Sequence, residues 1–237
     1  MGCHKSGLRL NLRMRLSCSV WKRKMENKGY PNNNFTPGLE NNSVTFAPGL
    51  ENNNVTFAPG LEQDLTQTWS VDDLNQFQRT STFQVMNDIV IDRGPSAYMS
   101  QLELFVEDRH LTTVQADGLV ISTPTGSTAY SLAAGGSVVH PEVPSILLTP
   151  ICAHSLSFRP MLLPDSVELK IQVPIDSRNT AWASFDGRHR MELQQGDFIM
   201  IELSRFPVPT ICNVDQVNRE TIETFLTLYR VLIGLLL

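Results

Sequence analysis

The residues best suited to chemistry lie in one stretch, Asp117-Gly118 followed by Leu119-Val120-Ile121 and then Thr123-Pro124-Thr125-Gly126-Ser127-Thr128-Ala129-Tyr130-Ser131. The apolar run reads as a strand. It breaks at Pro124 and Gly126, continues through helix formers from Ala129 to Ala134, and stops at Gly135-Gly136. A strand that feeds a tight turn and then a helix leaves backbone N–H groups without partners at the helix start. Ser127 and Thr128 stand there and can cap the helix or donate to a ligand. Oriented amides and the positive end of the helix dipole suit an anionic or oxygen-rich ligand such as a nucleotide. By pattern alone, an ordinary capped helix in a β-rich domain accounts for the same residues equally well.

The elements that must hold this stretch are mostly strands. From about Thr82 the apolar period is two: Leu102, Leu104 and Val106 alternate with Gln101, Glu103 and Glu107, with Phe105 breaking the polar face. Val167, Leu169, Ile171 and Val173 alternate with polar residues, and Ile199, Ile201 and Leu203 follow the same rule. Half-buried strands separated by turns such as Pro164-Asp165, Asp186-Gly187 and Gln195-Gly196-Asp197 predict an antiparallel sheet. The expected fold is therefore mainly β: an antiparallel β-sandwich with one short helix after the Thr-Pro-Thr-Gly turn, a C-terminal helix and a disordered N-terminal tail.

Four segments are expected. Residues 1–29 form a basic tail: the first 24 residues hold seven Lys and Arg and no acid. They fit an unstructured tail, a mitochondrial presequence, or an N-myristoylation pattern at Gly2 with Cys3 as a palmitoylation site, which together would give a weak membrane attachment. Residues 30–67 are a repetitive linker, in which Asn41–Glu51 recurs as Asn52–Glu62 after a shortened copy at Asn32–Glu40. Two and a half copies of eleven residues cannot build a solenoid core, and their Pro-Gly turns exclude helical heptads. Residues 68–214 form the sandwich. Residues 215–237 form a helix with Ile222, Phe225, Leu226, Tyr229 and Leu232 on one face. Arg230 interrupts an apolar end already too short for a membrane span.

Composition narrows the class. The chain has 237 residues and a net charge of −5. With the basic tail set aside, the body holds 12 basic against 24 acidic residues, which argues against nucleic acid as a partner. Cys3, Cys18, Cys152 and Cys212 have neither zinc-site nor paired-disulfide spacing and fit a reducing compartment, so the expected location is cytoplasmic, with mitochondrial as the alternative. The five histidines are scattered, so no metal site is expected.

Three sets of residues together resemble the NAD kinase family. They are Asp117-Gly118 with the octapeptide Thr123 to Tyr130; Asn87-Asp88-Ile89-Val90-Ile91-Asp92-Arg93-Gly94, where the family usually has Asn-Glu; and Pro150 to Pro160 with Ser184-Phe185-Asp186-Gly187. The likeness runs from about Thr82 to Cys212 and points to the family's C-terminal NAD-binding domain, itself a β-sandwich. It implies a kinase that transfers phosphate from ATP, with Mg²⁺, to the adenosine ribose 2′-hydroxyl of NAD, giving NADP. By the same likeness Asn87 and Asp88 would bind the adenine and its ribose, the amide meeting a purine edge and the carboxylate accepting from hydroxyls. Asp88 is one methylene shorter than the family's Glu. Asp117 would accept from the nicotinamide ribose or carboxamide. Thr128, Ala129 and Tyr130 would line the pocket, with Ser131 and Ala133 on the same helix face and Arg188 at its edge.

The likeness also implies a homo-oligomer whose sites include residues from a neighbouring copy. The family's donor cradle and base belong to a Gly-Gly-Asp-Gly motif in an N-terminal α/β half. In this sequence the one Gly-Gly pair, Gly135-Gly136, is followed by Ser137, so no catalytic base is expected. Two readings stay open: the NAD-binding half of an NAD kinase, or a non-catalytic NAD(P)-binding or regulatory protein. A plain β-sandwich interaction module is disfavoured by the octapeptide.

Overall fold

The structure, a computed structural model, describes residues 9–24, 76–154 and 158–212. The repeats, Gly2, Cys3 and the expected C-terminal helix lie outside the described residues. Fourteen strands account for most of the rest: β1 (Arg9–Arg13), β2 (Leu16–Arg23), β3 (Phe77–Val85), β4 (Asp88–Asp92), β5 (Ser100–Val106), β6 (Arg109–Ala116), β7 (Gly118–Ser122), β8 (Ser145–Ile151), β9 (Met161–Pro164), β10 (Leu169–Gln172), β11 (Ala181–Phe185), β12 (Arg188–Leu193), β13 (Phe198–Leu203) and β14 (Val208–Cys212). Between β7 and β8 lie a 3₁₀ turn, Thr125–Thr128, and one helical turn, α1 (Tyr130–Ala133).

The strands form two six-stranded antiparallel sheets, ordered β3-β2-β13-β10-β5-β6 and β12-β11-β4-β7-β8-β9, and a separate ribbon of β1 with β14. Alternation along each strand builds the core between the sheets. Leu102, Leu104, Leu169, Ile171, Ile199 and Ile201 from one sheet face Ile89, Ile91, Leu119, Ile121, Ile146 and Leu148 from the other, all 1% exposed or less. The sandwich and the short helix after the turn are as the sequence predicts.

The N-terminal tail departs from that reading. Rather than being disordered over its whole length, residues 16–23 form β2, an inner strand between β3 and β13. Leu16, Cys18 and Val20 are fully buried, and burial pushes the Cys18 thiol well above its ordinary pKa. The basic residues hid this strand in the sequence because they share its length with the apolar positions 16, 18 and 20. Lys24 N–H donates to Gln76 O at 2.8 Å, so residues 25–75 leave and return at the base of the β2–β3 pair.

Phe105, which breaks the polar alternation of β5, has a partner on the outer face. The Lys170 ammonium lies 4.8 Å from its ring and 5.0 Å from the Phe198 ring. Lys170 is only 4% exposed, and cation–π contact offsets part of its desolvation. Leu203, expected to face the core, is 39% exposed at the end of β13.

Candidate functional site

β4 and β7 run antiparallel with Asp88 opposite Ser122 and Asp92 opposite Gly118. Asp88 therefore sits where β7 turns into the Thr-Pro-Thr-Gly segment. On its other side β11 pairs with β4, Phe185 opposite Ile89, which brings Asp186 to the same end. Asp186 and Gly187 both have positive φ (47° and 69°), and their two-residue turn reverses β11 into β12.

The Asp186 carboxylate organises the bend before β4. Its Oδ1 accepts from the N–H groups of Asn87 (2.8 Å) and Asp88 (3.3 Å), and its Oδ2 accepts from Met86 N–H (2.9 Å). Thr123 ties the same bend to the turn: its N–H donates to Asn87 O at 2.9 Å and its hydroxyl to Met86 O at 2.6 Å. The Thr123 hydroxyl in turn accepts from Gly126 N–H at 3.0 Å. Gly126 is required by contact, since a Cβ there would lie 2.1 Å from Asn87 O and 2.5 Å from Asn87 C. The octapeptide is thus clamped onto Asn87 by backbone contact and one hydrogen bond, with a second to Met86 and a third within the turn itself.

The helix start differs from the expected cradle. Neither the 3₁₀ turn nor α1 has a side-chain cap. Ser127 is fully buried; its hydroxyl donates to Pro124 O at 2.6 Å and accepts from Val139 N–H at 3.0 Å, so it staples the turn to the following loop. The first amide of α1, Tyr130 N–H, lies near the Asp88 carboxyl and favours its charged form. A carboxylate from a neighbouring strand thus stands close to the amides that would otherwise attract an anion.

Two carboxyls share this corner. Burial raises the Asp88 pKa above its ordinary value, the Asp186 charge raises it further, and the Tyr130 N–H works in the opposite direction. A pair of carboxyls a short distance apart, one hydrogen-bonded to three amides and the other desolvated, is a strong acceptor for hydroxyl groups. Exposed Thr128, Ala129 and Tyr130 border it, with Tyr130 44% exposed. Ala133 is exposed on the same side, and Arg188 is exposed at the first position of β12.

Two expected site residues are placed elsewhere. Ser131 does not share the face of Tyr130 and Ala133: it is fully buried, and its hydroxyl is 2.9 Å from Thr149 Oγ1. At roughly 100° per residue, position 131 turns towards the sheet when 130 and 133 face out. Asp117 lies just beyond the opposite end of β7 from Asp88, about 17 Å away at ~3.3 Å per residue. There its Oδ1 pairs with Arg93 Nε at 3.1 Å, and both side chains are more than one third exposed. Asp92 pairs with Arg190 at 3.0 Å beside it, and Arg190 lies over the Trp182 ring. Asn87, Asp88, Thr128, Ala129, Tyr130, Ala133 and Arg188 are brought to one end; Asp117 is not.

The sequence reading missed Asp186 as a site residue. Its signal was present in Ser184-Phe185-Asp186-Gly187, but an Asp-Gly pair reads first as a hairpin turn, and only pairing of β11 with β4 sets its carboxylate against Asp88. Among the described residues no group of three or more His, Cys, Asp or Glu is arranged to hold a metal ion.

Comparison with known proteins places the chain in a family. The ATP-NAD kinase C-terminal domain matches residues 86–212. The chain is 55% identical over 134 residues to the NAD(+) kinase of Saccharomyces cerevisiae, covering 56% of this chain and 25% of that protein. It is also 55% identical over 134 residues to the chloroplastic NAD kinase 2 of Arabidopsis thaliana, covering 56% of this chain and 14% of that one. Among solved structures, yeast NADH kinase complexed with NADH superposes with a TM-score of 0.63 and 29% identity, over 93% of this chain and 49% of that one. The chain thus spans half or less of each of these relatives. With residues 86–212 matching its C-terminal domain, this chain belongs to the ATP-NAD kinase family.

Proposed function

We propose that this chain is the acceptor half of an NAD kinase. It binds NAD and presents the adenosine ribose 2′-hydroxyl, which ATP phosphorylates to give NADP. The observation that carries this reading is the Asp88–Asp186 corner, two carboxyls bordered by Asn87, Thr128, Ala129 and Tyr130. Asp88 accepts from ribose hydroxyls, its carboxyl lying near the Tyr130 N–H at the helix start. The Asn87 amide reads a purine edge, and Tyr130 offers an exposed ring for stacking. Ala133 and Arg188 are exposed at the same end, and the guanidinium meets the charged part of the dinucleotide. Ser131 supports α1 from beneath.

Asp117 is too far from Asp88 to hold the same ribose within one chain. In this reading it meets the nicotinamide ribose or carboxamide of a dinucleotide bound to a second copy, and the working form is a homo-oligomer. Phosphoryl transfer also needs a cradle for the donor phosphates. The family's Gly-Gly-Asp-Gly motif is not found in these 237 residues, so a donor half from another polypeptide or a longer form of this one supplies it. In this reading Mg²⁺ travels with ATP. It supplies charge neutralisation to the phosphates. This chain's residues bind and orient the acceptor.

Calorimetry with NAD, NADH and NADP tests the pocket, and absence of binding by all three refutes the reading. An ATP-dependent assay for NADP formation, with and without a donor half added as a separate polypeptide, tests the reaction. The missing motif also favours a second reading, a non-catalytic NAD(P)-binding protein. Dinucleotide binding with no NADP formation under either condition selects it.

A further inference from the structure

β7 turns Leu119 and Ile121 into the core between the sheets and Val120 and Ser122 to its other face. That second face is covered by the chain that follows the octapeptide. The Ser131 hydroxyl is 2.9 Å from Thr149 Oγ1, which is opposite Val120. A Cβ on Gly136 would come within 2.4 Å of Ser131 Oγ and 2.6 Å of Thr149 Oγ1. Beneath this cover Ser122 is fully buried, and its hydroxyl has no hydrogen-bond partner among the described residues. A buried hydroxyl left unpaired is costly and uncommon, and an alanine in its place would avoid the cost. The register supplies a use for it. Ser122 is directly opposite Asp88, and opposed residues point to the same face with Cβ atoms about 4.5–5.5 Å apart. At that separation one rotation about χ1 brings the hydroxyl within reach of the carboxyl.

We propose that Ser122 is a positioning residue for Asp88: its hydroxyl donates to the Asp88 carboxylate from the buried side, while the remaining lone pairs accept the hydroxyls of a bound dinucleotide. This rests on the reading of the Asp88 corner as the ribose site. An ionised carboxylate has about four acceptor positions, so one can be held by the protein and the others left for ligand. Burial and the Asp186 charge push Asp88 towards its neutral form, and a donor on its buried side works against both. The other groups at this corner are committed or exposed. Asp186 only accepts, from the Met86, Asn87 and Asp88 amides. The Thr123 hydroxyl donates to Met86 O, His189 stacks on Phe83, and Arg188 and Tyr130 are exposed. Ser145 provides an internal control. It is on the same face and 4% exposed, and its hydroxyl also has no partner among the described residues, but β8 is two strands from β4, about 10 Å.

Carbon-13 NMR of aspartate carboxyls in the full-length chain follows the titration of Asp88, assigned through Asp88→Asn, and calorimetry with NAD follows binding. Ser122→Ala removes the donor to the charged form, so it should raise the Asp88 midpoint by about one pH unit or more. The same variant should weaken NAD binding about tenfold at pH 7, with Tm unchanged or higher. Ser145→Ala should move neither the midpoint nor the affinity. An Asp88 midpoint that is the same in Ser122→Ala and the wild type overturns the proposal. So does an equal shift in Ser145→Ala, which makes the effect one of packing. NAD binding by the wild type with an unmoved midpoint sinks this proposal alone, whereas no NAD binding by the wild type sinks the ribose site and this proposal with it.

Discussion

Replacing Gly126 by alanine should damage both the stability and the pocket of this domain, and the size of the effect follows from the contacts. The added Cβ would fall 2.1 Å from Asn87 O, 2.5 Å from Asn87 C and 2.8 Å from Asn87 Cα, so the two backbones must separate by more than about 1 Å to reach ordinary contact. Asn87 cannot retreat freely. Its N–H is held by Asp186 Oδ1 at 2.8 Å and its carbonyl by Thr123 N–H at 2.9 Å, and a shift of that size breaks at least one bond and strains the other. Overpacking costs about 1–3 kcal/mol, and each lost hydrogen bond about 0.5–1.5 kcal/mol. Together they predict a loss of roughly 2–6 kcal/mol, because either the strain or the broken bonds must be borne. At about 2–4 °C per kcal/mol for a domain of this size, even the lower bound lowers Tm by about 4–8 °C. Thermal denaturation followed by circular dichroism measures it. Calorimetry at a temperature where the variant is still folded should show NAD affinity reduced at least about tenfold, because Asn87 and the Tyr130 turn move apart. A variant with Tm within about 2 °C of wild type and undiminished affinity would falsify the claim that the octapeptide is clamped onto Asn87.

Other substitutions probe the site and the fold separately. Asp88→Asn should stabilise the apo domain at pH 7 by about 0.5–2 kcal/mol while weakening NAD binding. The sign follows from linkage. Burial and Asp186 raise the Asp88 pKa in the folded state, so the folded protein binds that proton more tightly than the unfolded one. Stability from this group is present below the unfolded value near 3.8 and is lost as pH rises through the raised folded value, so the Tm gain should vanish below about pH 4. Tyr130→Ala should cost about 1–3 kcal/mol of dinucleotide binding by calorimetry, the worth of one stacked base, with stability within about 0.5 kcal/mol of wild type because the side chain is exposed. Leu16→Ala should destabilise by about 2–5 kcal/mol in urea denaturation, since the side chain is fully buried in an inner strand. A silent Leu16→Ala would mean that the N-terminal residues are dispensable. Asp117→Ala should lower stability by no more than about 1 kcal/mol, as its pair with Arg93 is exposed; affinity should fall only at protein concentrations where copies associate.

Much of the sandwich was legible because its strands keep a period of two and their turns carry the residues that turns demand. Leu169, Ile171, Ile199 and Ile201 announce their faces without reference to anything distant. β2 was not legible: its apolar positions alternate with Ser17 and Ser19 inside a run whose Arg and Lys residues suggest a solvated tail, and it is buried only because β3 and β13 arrive from far along the chain. The octapeptide could be read as a strand, turn and helix. Which of its hydroxyls faces outward could not, because Ser127 and Ser131 are consumed by Val139 and Thr149, partners 12 and 18 residues away. Asp117 and Asp88 look equally eligible in the sequence. Only the register of β4 on β7 sends them to opposite ends.

The hydrogen bond from Lys24 to Gln76 closes the base of a 51-residue excursion that joins two strands already paired to each other. Closing such a loop costs free energy that grows only with the logarithm of its length, so one more eleven-residue unit adds about 0.2 kcal/mol. Lineages can therefore gain or shed these tandem units by slippage without a detectable change in melting temperature. Copy number at this position should vary more freely than any neighbouring stretch.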